Sequence, residues 1–99
     1  MSKKLLEKMK RNWLISYDPY SDIFQIYDEV VFETSKEKIT KSKSNNISFV
    51  FIEDSKEPVL IEVKNAYSEF DKEIDSLKKE EVIKLISLKI GESYVAGKR

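Results

Sequence analysis

The stretch Tyr17–Tyr27, YDPYSDIFQIY, holds a strand end, a turn and a second strand. Upstream of the turn, Trp13, Ile15 and Tyr17 alternate to one side. Downstream, Ile23, Phe24, Ile26 and Tyr27 are β-forming residues set around Gln25. A period of two with such residues predicts strands with one buried face. Between them lies Asp18-Pro19-Tyr20-Ser21-Asp22. A type I turn favours Asp at its first position, where the carboxylate accepts a backbone N–H, and Pro at its second, where the ring presets φ. Tyr17, Asp18, Pro19 and Asp22 are therefore read as a turn-forming motif, with Asp22 closing the loop as Asp18 opens it.

Working outward, Leu5, Leu6, Met9 and Trp13 recur at helical spacing while lysines take the other faces, which predicts an amphipathic helix over 1–12. The β-formers of Val30–Thr34 predict a third strand. The polar run SKEKITKSKSNN reads as an exposed connection over 35–46, with Ile39 extending a strand edge. Ile47, Phe49 and Phe51 then alternate, as do Val59, Ile61 and Val63 across a turn-like Asp54–Pro58, which predicts a second hairpin. Its apolar face needs cover, and the C-terminal third supplies it. Ser68 and Asp71 make a weak capping box before Phe70, Ile74 and Leu77. A second helical run holds Val82, Ile83, Leu85, Ile86 and Ile90 and stops at Gly91, with Lys78–Glu81 as the joint between one helix and a possible second.

The expectation is one α+β domain over 1–99: a helix over 1–12, a sheet over 13–64, a helical part over 68–91 and a tail over 92–99. The antiparallel sheet of four to five strands comes from two hairpins, and the C-terminal helices pack on one face.

Composition narrows the chemistry. Of 99 residues, 40% are hydrophobic and 36% charged, enough apolar material for one core beneath a charged surface. There is no cysteine and no histidine, which removes disulfides, thiolate nucleophiles, imidazole bases and the common zinc ligand sets. No segment has the roughly 20 apolar residues of a membrane span, so no membrane partner is expected and a cytoplasmic location is the default. No phosphate-cradling glycine motif occurs, and no cofactor is expected. Net charge is zero, yet Lys3, Lys4, Lys8, Lys10 and Arg11 crowd the first helix, whereas Trp13–Glu33 carries Asp18, Asp22, Asp28, Glu29 and Glu33 without a basic residue.

Three constellations bear on function. Glu62-Val63-Lys64 ends an apolar strand as the Glu-x-Lys of PD-(D/E)xK nucleases does, where two carboxylates hold Mg²⁺ and the lysine acts on the attacking water. The partner aspartate should stand about a dozen residues earlier by the spacing of that metal site, where this chain has Ser48, Phe49 and Val50. Asp18, Asp22, Asp28 and Glu29 lack the glycine bend and the distal glutamate of a calcium loop, so no metal is expected there. Trp13, Tyr17, Tyr20, Phe24 and Tyr27 form a stacking series for nucleic acid, but the acids of the same stretch repel phosphate, so this partner is not favoured over core packing. The favoured expectation is a protein-interaction module and not an enzyme, with a nucleic-acid-binding protein or a degenerate nuclease using Glu62 and Lys64 as the alternative. The module's contact residues are Leu5, Leu6, Met9 and Trp13, or the strand edge beside them, for a partner or for self-association.

Tyr17-Asp18-Pro19-x-x-Asp22-x-x-x-Ile26-Tyr27, with Ile61-Glu62-Val63, Ala66 and Ser68 further on, resembles a small prokaryotic family numbered 2283 among domains of unknown function. Members usually read Y-D-x-x-x-D-x-L-Y-I near the start and G-I-E-I-L-x-A-S near the end. The resemblance covers about Trp13 to Ser68; this chain adds its first helix, the lysine-rich connection and the long helical end, and lacks the usual glycine of the second hairpin. Members are often encoded beside small toxin-like ribonucleases, so the resemblance implies an antitoxin-like interaction role and supplies no catalytic residue.

Overall fold

A computed structural model describes residues 3–73 and 77–97. The elements are α1 (Lys3–Asn12), β1 (Leu14–Asp18), β2 (Ile23–Tyr27), α2 (Val30–Glu33), β3 (Lys38–Ser42), β4 (Ile47–Ile52), β5 (Leu60–Lys64), α3 (Ala66–Phe70) and α4 (Lys79–Gly97). The expected α+β fold is present: a five-stranded antiparallel sheet in the order β1-β2-β5-β4-β3, with helices at both ends of the chain.

Alternation decides which face is covered. Phe24 and Ile26 from β2, Ile47 and Phe49 from β4, and Ile61 and Val63 from β5 point to one side. There they form a single buried cluster with Leu5 and Met9 of α1, Trp13, Ala66 and Phe70 of α3, and Val82, Ile83 and Ile86 of α4. Phe70 meets Phe24 edge-on, ring centroids 5.7 Å apart, an arrangement aromatic rings prefer. The opposite face carries Leu14, Ser16 and Asp18, then Ile23, Gln25 and Tyr27, then Leu60, Glu62 and Lys64; Leu60 is buried, and the others are half-buried or exposed.

Four expectations need correction. Val30–Thr34 is a helical turn, α2, and not a strand. The Asp28 carboxylate accepts the N–H of Val30 at 3.1 Å, and its carbonyl accepts that of Val31 at 3.0 Å. This local capture outweighs the β preference of two valines, and it places Val31 in a buried position. The connection over 35–46 contains β3, which is exposed throughout and pairs with β4 from Lys38↔Ile52 to Ser42↔Ser48. As an edge strand it has no apolar face to display in sequence. Ser68 lies inside α3, which begins at Ala66 and stops at Asp71 in the left-handed region, φ 54°. Finally, α4 passes through Gly91 and on to Gly97, so residues 92–97 are helical and not tail. One glycine costs a helix only about 1 kcal/mol against alanine, too little to end a long one. Among the described residues the helical third holds α3 and α4, with α4 starting at the expected joint. Ile74, Lys98, Arg99 and the side chain of Ile90 lie outside the described residues.

Candidate functional site

Asp18 and Asp22 share the turn but have different duties. Asp18 Oδ1 accepts the N–H of Tyr20 at 3.0 Å and Oδ2 accepts the hydroxyl of Ser21 at 2.8 Å, a local turn as expected. The Ser21 hydroxyl, then the Tyr20 amide, hold its carboxyl below the usual value. Asp22, at φ 56°, does more than close the loop. It accepts the Tyr17 hydroxyl at 2.6 Å, both its oxygens stand 3.2 Å from the N–H of Tyr67, and its carbonyl accepts the N–H of Ala66 at 3.1 Å. Asp22 therefore caps α3 from forty-five residues away, satisfying amides a helix start leaves without partners. Tyr17, Asp18 and Asp22, the residues that carry the family resemblance, are bonded to one another or to the backbone, with Pro19 presetting the turn. Stability suffices to explain them.

Leu5, Met9 and Trp13 are buried to 2% exposure or less, and Leu6 packs against the same core. These residues fasten α1 to its own sheet and to α4; as a contact surface for another molecule the first three are occupied. The indole N–H of Trp13 is buried without a hydrogen-bond partner among the described residues, beside a cleft of about 260 Å³ whose lining mixes Lys4, Lys8 and Lys56 with Asp28.

Glu62 sits on the open face, where it accepts the side-chain amide of Gln25 at 2.8 Å and faces Ser48 of β4 across the strand. Lys64 is exposed beside Ile23. One carboxylate is half of what a Mg²⁺ site requires. Among the described residues no group of three possible ligands converges. The stacking series is also dispersed: Phe24 is in the core, Tyr20 is fully exposed at the turn, and Tyr27 belongs to the opposite face from Tyr17.

What the open face does assemble is apolar. Leu14 stands across from Tyr27 in the sheet register. Phe32 of α2 packs edge-on against Tyr27, centroids 5.1 Å apart. Leu14 is 42% exposed, Phe32 65% and Val30 37%. Asp28, Glu29 and Glu33 flank this patch in the chain. Neither Val30 nor Phe32 was among the residues singled out from sequence, because their exposure follows from α2 replacing a strand.

Across the sheet lies a polar cluster. The Asn46 side chain donates to Glu69 Oε1 at 3.0 Å and accepts from Asn65 at 2.9 Å, while Lys89 pairs with Glu69 Oε2 at 3.2 Å. Asn46 first, with Lys89 and Lys43 assisting, draws the Glu69 carboxyl below its ordinary value. The cluster ties the β3–β4 turn to α3 and α4.

No family model matches the chain, and neither a curated protein nor a solved structure matches it at a significant level. Among the described residues no helix is long and apolar enough to cross a membrane.

Proposed function

We propose that this chain is a protein-interaction module that uses the β1–β2 hairpin, and that Leu14, Tyr27, Val30 and Phe32 form its contact patch for a basic partner. The supporting observation is the clustering of exposed apolar side chains on the uncovered face beside the longest stretch that lacks basic residues. Apolar area at the centre of a contact excludes water and supplies affinity, while surrounding acids choose a partner of opposite charge and speed its encounter. Nucleic acid is disfavoured by the same acids. An antitoxin-like role is one form of this reading, since a protein that handles RNA presents a basic surface.

The test is differential capture. Tagged wild-type chain and a Phe32→Ser variant are used as bait against the source lysate, with salt varied. The reading expects a basic protein retained by wild type, lost with Phe32→Ser and weakened by salt. Equal retention by both baits, or a nucleic acid as the retained species, would contradict it.

A further inference from the structure

We infer that the cleft between α1 and the β4–β5 turn binds a small organic carboxylate, anchored by the indole N–H of Trp13 and the ammonium groups of Lys4, Lys8 and Lys56. The contact patch is a separate surface, since none of Leu14, Tyr27, Val30 and Phe32 lines this cleft.

Three segments build it. Lys4 and Lys8 stand one turn apart on α1, so both side chains project from one face of the helix. Lys56 belongs to the turn between β4 and β5. That turn is fixed by the N–H of Ser55 on the carbonyl of Ile52 and the N–H of Val59 on that of Val50, both at 2.8 Å. Trp13 joins α1 to β1 and is 2% exposed. All four side chains line the cleft of about 260 Å³.

The hydrogen-bond balance calls for a ligand. Folded proteins pair nearly all of their buried polar groups, and each exception needs a cause. Among the described residues the Trp13 indole nitrogen is the single buried side-chain polar atom without a hydrogen-bond partner. Acceptors that line the same cleft are engaged elsewhere: Asp28 Oδ1 takes the N–H of Val30 at 3.1 Å, and the carbonyl of Val59 takes that of Asp28 at 2.8 Å. An indole only donates, so the missing partner is an acceptor.

Charge and shape choose its class. Lys4, Lys8 and Lys56 set three positive charges against the carboxylates of Asp28 and Glu57 in the lining, a net of one. A monoanion matches that balance, whereas a phosphate dianion brings a second negative charge beside two carboxylates. Leu5, Pro58 and Val59 stand with the Trp13 ring as apolar wall, which favours an organic body over a bare ion. The volume lies under the roughly 300 Å³ at which ligand pockets usually begin, so that body is short. One carboxylate oxygen accepts the indole N–H, and the other faces the ammonium groups.

The chain has one tryptophan, so a single indole N–H resonance and a single indole fluorophore report from the site itself. Titration of the full chain with hexanoate is expected to shift both saturably. Hexanamide, of the same shape without the charge, and inorganic phosphate are each expected to bind roughly tenfold more weakly or worse. Lys4→Gln with Lys8→Gln, both at exposed positions, is expected to weaken hexanoate by roughly tenfold at an unchanged melting temperature. Trp13→Phe removes the donor and keeps an aromatic ring, and calorimetry is expected to show a comparable loss; the lysine pair carries the test should Trp13→Phe fail to fold. An indole resonance that hexanoate leaves in place, equal binding of hexanamide or of phosphate, or an affinity unchanged by the lysine pair or by a folded Trp13→Phe would each overturn the inference. The capture test with Phe32→Ser is unaffected by any of these outcomes, because that residue does not line the cleft.

Discussion

The two edge strands of this sheet are built to opposite rules. β3 is exposed on every residue, carries Lys38 and Lys41, and is flanked by Lys36 and Lys43. Lys41 lies 5.3 Å from the centre of the Phe51 ring, where it covers an aromatic that the helices leave half-buried. β1 reads LISYD, without a lysine or proline, and Ile15 and Tyr17 pack against the core. Charge on β3 keeps other strands away by making their approach cost desolvation and repulsion. β1 is held instead through its covered face, so the difference teaches that one edge is marked as a boundary by lysines while the other is anchored by core packing.

The largest effect that bears on this contrast is at the root of β1. Trp13→Ala empties a fully buried site and is expected to cost about 3–5 kcal/mol, read by thermal or urea unfolding. The corresponding change on β3, Ile39→Ala, should cost less than about 1 kcal/mol because Ile39 is 42% exposed. Equal losses would show that the two edges are anchored alike. Next comes the turn. Asp22→Ala removes the Tyr17 hydroxyl bond and the α3 cap together and should cost about 2 kcal/mol, with a visibly smaller drop in melting temperature for Asp18→Ala.

Much of this contrast was legible in the sequence, and the failures have causes. Helical spacing of Leu5, Met9 and Trp13 gives α1, and alternation gives β2, β4 and β5, because each of these elements buries one face of itself. β3 buries neither face, and an edge strand of KITKS has no periodicity to display. Val30–Thr34 misleads because β propensity is a weak bias that the Asp28 carboxylate overrides locally. The turn chemistry of Asp18 is readable because its partners lie within three residues. The role of Asp22 is not, since its partner amide at Tyr67 is near only after the sheet has formed. For the same reason the Leu14–Tyr27–Phe32 patch is a product of tertiary structure.

Smaller effects sharpen the β3 side. Glu69→Gln weakens the cluster that ties the β3–β4 turn to the helices and should cost about 1 kcal/mol. Its pH signature has a definite sign. The folded carboxyl titrates below its ordinary value, so this contribution is complete at neutral pH and fades as pH falls from the unfolded range through the folded pKa. Wild type should lose more stability than Glu69→Gln between neutral and acidic pH; parallel curves would remove Glu69 from the account. Smallest is Lys38→Thr with Lys41→Thr, expected to change folding stability by no more than about 0.5 kcal/mol while raising association in light scattering. Association unchanged by this double substitution would mean that charge does not guard the edge.

Amide hydrogen exchange, followed residue by residue as a function of protein concentration, tests the central claim most directly. The outward amides of β3 belong, by strand parity, to Lys38, Thr40 and Ser42. The account predicts that exchange at these three amides stays fast at every concentration in the wild type and slows with concentration once Lys38 and Lys41 are replaced by threonine. Slowing on wild-type β3 as concentration rises, or rates in the double variant that ignore concentration, would contradict it.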